Sequence, residues 1–487
     1  MNDNKKITLE EIKQLNDHST ISYILLFFIF IFQFTSKSKD VMTKVNEEQK
    51  KIGDKLFWKY LITIQLSKAA NWCLTPNYFD FFEKYHKMDY QTFSKFIAIS
   101  FLSSSFLGTL IIGYLNDRKN KKLPCLIYGL IMIFCCLTRL IPNYFILIIS
   151  QIFFGISVSI LNTSFDNWFI NECLNLLTDK DTRNSIITNA FEKNIICDSI
   201  NAMIINFSLG LLKNEYGIFM PYMISVIISV IQILIVELLY DNNSNINEKE
   251  INENENKEEK EENKLEEINN DSLFKNSINA SKIMLTNKLY FSIGLTESLI
   301  YIINQIFIYI WKPTLRSMNS HLNNKNVFVL FMISFIAGGT FFRVFYDYCN
   351  HNILKISKAI GFFFTLGFYL ITFGIIYENK LYGFLVYEAG NGLFYPIYST
   401  IKCDCIKSKY RGTLLNLFRI PSYLFIAYLY VKIKTWQVHD LRTFCFFVSL
   451  FIFLLQLIYF SENKKEEKKE VKKSKKKINN IFNLVIQ

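Results

Sequence analysis

Apolar runs alternate with short polar connections along almost the whole chain. Each run is about 18 to 25 residues long, which as an α-helix is enough to cross about 30 Å of hydrocarbon. A soluble domain does not need such unbroken runs to build its core. The pattern therefore predicts a polytopic, all-α membrane protein.

The runs fall into two sets of six, separated by a polar stretch. The first set lies at residues 57–82, 93–115, 123–141, 145–168, 186–212 and 219–240, and the second lies at residues 290–311, 327–348, 356–377, 381–401, 414–431 and 443–460. Residues 241–285 are rich in Asn, Glu and Lys, so they cannot bury enough apolar surface to fold and are predicted to form a disordered linker. We expect two six-helix bundles, at 57–240 and 286–461.

Both ends of the chain are predicted to lie outside these bundles. The N-terminal segment, 1–56, contains a shorter apolar run at 21–34, which we interpret as an uncleaved extra helix because no small-residue cleavage pattern follows it. The C-terminal tail, 462–487, is rich in lysine and suited to anionic lipid. Basic residues cluster on one side of alternating spans, and this asymmetry predicts that the linker and the C-terminus are cytoplasmic.

Composition and charge exclude several classes of protein. The chain is 51% hydrophobic, and its net charge of +12 lies in connections and in the tail. A lipid bilayer is therefore the expected partner, and no nucleic acid is expected to bind. The ten cysteines lie mostly in apolar runs and the five histidines lie apart, so no metal or cofactor is expected. The sequence contains no nucleophile paired with a general base and no phosphate-binding loop, so no motif indicates an enzyme. The plasma membrane is the favoured location, with an internal membrane as the alternative.

A charged motif connects the second and third predicted spans. It contains Gly113, then Asp117 and Arg118 after three further residues, followed by lysines. The glycine lets two helices approach closely, and a carboxylate at a helix end can pair with cations on neighbouring helices in one gating state only. The string resembles the G-x-x-x-D-[RK]-x-G-[RK]-[RK] signature of the major facilitator superfamily, with Asn120 at the usual glycine. The resemblance implies that this connection acts as a conformational latch.

Further strings resemble the molybdate-anion transporter branch of that superfamily. In chain order they are 71–76 (NWCLTP), 135–139 (CCLTR), 164–168 (SFDNW), Glu297 with 311–313 (WKP), Glu388 with 392–396 (GLFYP), and 416–421 (NLFRIP). The resemblance implies two six-helix bundles that rock about a central cavity, and secondary active transport of a small oxyanion by alternating access. The chain departs from the branch at Asn71, where an acid is usual, and at Gln151, where an arginine commonly tied to proton coupling is usual.

Ionisable residues at membrane depth are the candidate site residues, because each is costly there and faces a partner or a wet cavity. The candidate substrate contacts are Lys68, Asn71, Trp72, Arg343 and Arg419. The candidate gating or coupling residues are Asp117, Arg118, Asp166, Glu297 and Glu388. Arg419 is the first choice for a small anionic solute, since a guanidinium offers a planar pair of donors to two oxygens.

Other functions remain open from the sequence. The same fold could carry a sugar or another metabolite, because Asn71 and Gln151 alter the charge of the cavity. A non-transporting membrane sensor or scaffold could use the linker and the tail to bind partners. For the buried acids, the structural alternative is a set of inter-helix pairs with Lys68, Arg343 or Arg419 that hold one state closed.

Overall fold

The computed structural model describes residues 47–75, 78–118, 120–240, 273–318, 324–349, 353–406 and 411–458. Within these ranges, nine helices are long and apolar enough to cross a membrane. The prediction of a polytopic, all-α membrane protein is therefore confirmed. The predicted extra helix at 21–34 and the lysine-rich tail lie outside the described residues.

The first half of the chain supplies seven helices. They are α1 (Glu47–Leu74), α2 (Tyr78–Lys84), α3 (Tyr90–Asp117), α4 (Lys122–Thr138), α5 (Tyr144–Leu176), α6 (Lys180–Tyr216) and α7 (Met220–Leu239). The central part of α3, Ser104–Ile112, is π-helical, and Ser104 there donates to the carbonyl oxygen of Gly155 at 2.6 Å. A π-helical turn changes which side chains face a neighbour, and such turns are frequent at functional sites.

The described residues of the second half form eight more α-helices. They are α8 (Leu273–Thr286), α9 (Lys288–Arg316), α10 (Asn324–Tyr348), α11 (Ile353–Phe373), α12 (Tyr377–Cys405), α13 (Arg411–Leu417), α14 (Ile420–Val431) and α15 (Val438–Ile458). The predicted span at 414–431 is thus interrupted between α13 and α14. Pro421 stands in the first turn of α14, where its missing N–H and fixed φ suit a helix start.

Packing divides the chain into two units. One contains the described residues of Lys37–Gln305 and Lys402–Gln437, and the other contains those of Ile306–Ile401 and Val438–Gln487. This division differs from the predicted one at the linker, because α13 and α14 pack on α3. The first part of α9 joins them, with Ser298 hydrogen-bonded to the carbonyl oxygen of Phe418.

The first unit is packed around α1, which contacts α5, α6 and α7. Aromatic rings fill this core, and Tyr60 stacks on Phe169 with 4.5 Å between the ring centroids. Helices α3 and α5 approach closely at Gly155, where an added Cβ would lie 2.2 Å from the carbonyl oxygen of Ser100. The close approach lets hydroxyl groups of α3 donate to backbone carbonyls of α5, which satisfies polar groups inside a membrane.

The second unit has an aromatic core of its own. Phe307 on α9 stacks on Tyr387 on α12 with 4.9 Å between the centroids, and Phe331 and Phe384 pack against the same ring of Phe307. Ser334 on α10 donates to the carbonyl oxygen of Leu385 at 2.6 Å. These contacts fix α12 against α9 and α10.

The predicted disordered linker ends earlier than the composition indicated. Its last residues, from Leu273, belong to α8, and Ala280 on this helix is fully buried. Helix α8 packs on α3 and α13, so tertiary contacts stabilise a segment whose polar sequence favoured a loop. The rest of the predicted linker, residues 241–272, lies outside the described residues.

The close contact of α3 and α5 gives a test of the fold. Gly155→Val forces a side chain into the backbone of α3, and overpacking of this kind costs about 1 to 3 kcal/mol. We expect the purified protein to melt about 4 °C lower or more in a thermal-shift assay. Ile204→Val, at a side chain that is 59% exposed, is the matched control and leaves the melting temperature unchanged. Equal melting of both variants contradicts the packing described.

Candidate transport site

Asp166 lies on α5 in the interior of the first unit. Its Oδ1 accepts a hydrogen bond from the hydroxyl of Tyr60 on α1 at 2.7 Å. That hydroxyl in turn accepts from Nδ2 of Asn194 on α6 at 3.1 Å. Asn194 also accepts from Nε2 of Gln65 at 2.8 Å. A polar chain therefore crosses three helices whose other facing residues are largely apolar.

An ion pair extends this polar chain along α1 and α6. Nζ of Lys68 lies 3.0 Å from Oδ2 of Asp198 and 3.2 Å from Oδ1 of Asn194. Trp72 donates from Nε1 to the other oxygen of Asp198 at 2.9 Å. Both charged side chains are about one-fifth exposed, so this end of the chain reaches a more open region. Two predicted substrate contacts, Lys68 and Trp72, thus share one carboxylate.

Glu297 on α9 is bound by two cations at once. Its Oε1 lies 3.0 Å from Nζ of Lys402 on α12 and 3.1 Å from Nη2 of Arg419, which occupies the N-cap position of α14. The carboxylate is 4% exposed, and its other oxygen has no hydrogen-bond partner among the described residues. The guanidinium also lies 5.7 Å from the centroid of the Tyr301 ring. One carboxylate thus holds three helices together.

These groups form one electrostatic network. Lys402, Lys68 and Arg419 all act on the charge of Asp166, although none of them binds it directly in the described hydrogen bonds. We call the six ionisable residues the charged cluster: Lys68, Asp166, Asp198, Glu297, Lys402 and Arg419. With every group ionised, its three positive charges balance its three negative charges. A balanced cluster can be buried, whereas an added or removed charge would unbalance it.

Asp117 holds the predicted latch at the end of α3. Its Oδ1 accepts from the backbone N–H of Gly412 at 2.7 Å, and its Oδ2 accepts from the N–H of Thr413 at 3.1 Å and from the Thr413 hydroxyl. The acid therefore caps the N-terminus of α13, where unpaired N–H groups favour a negative charge. Gly412 is required here, because an added Cβ would lie 2.4 Å from Cβ of Asn116.

Two basic residues beside the latch make separate contacts. Arg118 is exposed and stays on its own helix, with its guanidinium 4.5 Å from the centroid of the Tyr114 ring. Lys121 donates to Oδ1 of Asn171 at 2.5 Å. Burial lowers the pKa of Lys121 to about 8, and the nearby charge of Asp117 opposes this shift. The lysine therefore carries its charge at neutral pH.

The remaining predicted site residues lie elsewhere. Glu388 is buried on α12 in the second unit, where Nδ2 of Asn391 approaches it to 3.4 Å, and it has no ion pair within the described part of the chain. Asn71 is half-buried on α1, one residue before Trp72. The backbone of Arg343 belongs to α10, but its side chain lies outside the described part of the structure. No group of described His, Cys, Asp and Glu residues could hold a metal ion.

Sequence reasoning missed part of the cluster. The predicted span 381–401 ends one residue before Lys402, whereas α12 continues to Cys405 and carries this lysine to Glu297. Asn194 and Asn201 could have been found from Asp198, because they stand four residues before it and three residues after it, which places all three on one face of α6. On this face, Nδ2 of Asn201 donates to the backbone carbonyl oxygen of Gln65 at 2.9 Å.

A chain with nine described helices of membrane-crossing length, and with charged side chains paired in its interior, is that of a multi-pass integral membrane protein. The sequence model of a family described as "Sugar-transporters, 12 TM" matches residues 28–372, and the chain belongs to this family of the major facilitator superfamily. The expected major facilitator fold is confirmed.

Curated relatives extend the comparison. The molybdate-anion transporter of Takifugu rubripes is 24% identical over 381 residues, which cover 75% of this chain and 76% of that protein. The molybdate-anion transporter of Danio rerio is 23% identical over 396 residues, covering 76% and 77% of the two chains. The predicted resemblance to this branch is confirmed.

A solved structure supports the fold. The human organic anion transporter MFSD10 superimposes with a TM-score of 0.59 over 83% of this chain and 99% of that chain. The sequences are 12% identical, so the similarity concerns the fold alone.

The latch gives a prediction that does not require a substrate. Asp117→Ala removes the acceptor for two backbone N–H groups and one hydroxyl of α13, so the first turn of that helix should open more often. We expect amide hydrogen exchange in residues 411–418 to become about tenfold faster, as measured by mass spectrometry. Arg118→Ala, whose described contact is with Tyr114 on the same helix, leaves this exchange unchanged. Unchanged exchange in Asp117→Ala would contradict the capping role.

Proposed function

We propose that this protein is a secondary active transporter of a small oxyanion, with molybdate as the first choice, and that it works by alternating access. The observation that carries the proposal is the binding of one buried carboxylate oxygen of Glu297 by both Lys402 and Arg419. The relatives named molybdate-anion transporters support the choice of solute.

An oxyanion can take the place that Glu297 occupies. A tetrahedral anion presents several oxygens, two of which match the paired donors of a guanidinium, while a lysine ammonium can bind a third. Nη1 of Arg419 is buried and has no partner among the described residues, so a donor is already available. The substrate contacts in this proposal are Arg419 and Lys402, with Lys68, Asn71 and Trp72 nearer the more exposed end, and Arg343 as a further predicted contact.

Charge balance links anion binding to protons. The charged cluster is neutral when all six groups are ionised, so a bound dianion would leave two uncompensated negative charges. Protonation of Glu297 and Asp166 would remove both, and protonation of Glu297 would also release its two cations to the anion. We therefore propose proton-coupled uptake in which these two acids carry protons. Glu388, buried without a described ion pair, is the corresponding candidate in the second unit.

Gating follows from the same contacts. The state described here has the Asp117 latch formed and Glu297 paired, and a change of access requires both sets of contacts to break. Anion binding at Lys402 and Arg419 would release Glu297 from α12 and α14. Arg118, in the connection between α3 and α4, keeps its predicted gating role through its positive charge. The membrane orientation, with a cytoplasmic C-terminus and a plasma-membrane location, stays a prediction from the lysine distribution.

A neutral solute is the second candidate. Each cation of the charged cluster already has an acid partner, and the family model is described for sugar transporters. In this alternative the ion pairs act as a gate and the solute hydrogen-bonds to the Asn and Gln side chains near Tyr60. Uptake of labelled sugars but no molybdate by the same vesicles would favour it.

Substitution of the arginine tests the proposed substrate contact. Arg419→Gln removes a charged donor pair worth about 1.5 to 3 kcal/mol, so uptake of labelled molybdate into proteoliposomes should fall about tenfold or more. The control is Arg316→Gln, an exposed arginine at the end of α9, which leaves uptake unchanged. Normal molybdate uptake by Arg419→Gln would refute the contact.

Substitution of Glu297, the proposed coupling residue, should change how transport depends on pH. Glu297→Gln keeps the size of the side chain but cannot release a proton, so transport should lose one of its two coupled protons. We expect wild-type molybdate uptake to rise when the outside is made more acidic than the vesicle interior, and uptake by the variant to respond to the same pH gradient much more weakly, through Asp166 alone. An unaltered response to pH in Glu297→Gln would exclude this glutamate as the proton carrier.

A further inference from the structure

A second buried arginine lies apart from the charged cluster in the first unit. Arg139 follows the last residue of α4, and its side chain is fully buried. Its guanidinium lies 4.6 Å from the centroid of the Tyr78 ring and 4.4 Å from that of Phe154. These ring faces attract a positive charge, but they offer it no oxygen acceptor.

The three guanidinium nitrogens of Arg139 make no hydrogen bond of good geometry with the described residues, and the Tyr78 hydroxyl beside them is only a weak acceptor. An arginine cannot lose its proton under these conditions, so the group is a buried, permanent positive charge. The groups that act on it electrostatically are Tyr78, Cys135, Cys136 and Tyr222, all of which are neutral at pH 7, and no carboxylate is among them. A permanent charge without an acceptor or a counter-ion is strongly disfavoured in a protein interior.

The neighbouring polar groups leave one further donor free. The hydroxyl of Tyr78 is engaged by the amide of Gln151, at 2.6 Å from Nε2 and 2.9 Å from Oε1. The hydroxyl of Tyr222 on α7 is buried and has no described partner. His86 is turned to the backbone carbonyl oxygen of Arg139 at 2.9 Å and does not supply a negative charge. The site therefore presents unused donors and a positive charge.

We infer that Arg139 and Tyr222 form a binding site for a small monovalent inorganic anion of the size of chloride. A single guanidinium supplies one positive charge, so a monovalent anion neutralises it, whereas a dianion would leave an excess charge in an enclosed site. The anion would accept from the guanidinium N–H groups and from the tyrosine hydroxyl. It would act as a resident counter-ion that holds α4 and α7 together, separate from the proposed transport of an oxyanion at Arg419.

The test compares thermal stability of the full-length protein in chloride and in gluconate at equal ionic strength. An ion that binds the folded state raises the melting temperature, and we expect wild type to melt about 2 to 4 °C higher in chloride. Arg139→Met removes the charge at similar length, so it should melt equally in the two salts, and in gluconate it should melt no lower than wild type. Arg139→Lys, which keeps the charge, and Tyr222→Phe, which removes one donor, should keep a smaller chloride response.

Arg419→Gln is the matched control at another buried arginine and should keep the full chloride response. The inference is overturned if wild type melts equally in the two salts, which is the result expected for bound water alone. It is also overturned if Arg139→Met responds to chloride as wild type does, or loses stability equally in both salts, as a purely structural arginine would. Stabilisation through Arg139 by molybdate and not by chloride would instead assign this site to the transported solute.

Discussion

The contact of one buried Glu297 oxygen with both Lys402 and Arg419 is the interaction on which the rest of the first unit depends. Removing one partner of a buried charge pair typically costs about 3 to 5 kcal/mol, so the carboxylate fixes the relative positions of α9, α12 and α14. The break between α13 and α14 is part of the same arrangement. It places Arg419 at the N-cap of α14, from which its side chain reaches α9. A continuous helix would carry this arginine in a different direction.

Much of the fold follows from residues that are close in sequence. The apolar runs predicted where the long helices lie, because a membrane requires about 20 apolar residues for each crossing, although α1 begins ten residues before the predicted span and α5 ends eight residues after it. The interruptions were harder to predict. The chain breaks after Leu417 although the sequence there is apolar, and α8 forms from polar residues because α3 and α13 cover one of its faces. Both outcomes depend on contacts between distant segments.

The candidate site could be predicted only as a set of residues without partners. Buried charge singled out Lys68, Asp166, Glu297 and Arg419, but the pairs are 105 and 122 positions apart for Glu297 and 130 positions apart for Lys68. A single sequence does not contain that pairing. Lys402 was missed for a related reason, since a lysine one turn beyond an apolar run is equally compatible with a solvated connection.

Arg139 and Arg419 are both buried in one unit but have different surroundings. Arg419 has a carboxylate partner that an anion can replace, whereas Arg139 is surrounded by rings and neutral groups. The latch at Asp117 adds a third way to place a charge, by capping the first turn of a helix with a carboxylate. The Glu297 pairs hold α9 against α12 and α14, and the Asp117 contacts hold α3 against α13.

The central claim is that an oxyanion replaces Glu297 at Lys402 and Arg419. The most direct measurement is a crystal structure of the protein with bound molybdate, using anomalous diffraction at the molybdenum absorption edge to locate the metal. The account predicts an anomalous peak within reach of the Lys402 ammonium and the Arg419 guanidinium, with the Glu297 carboxylate turned away from both. A peak elsewhere, or a bound molybdate with the Glu297 pairs intact, would contradict it.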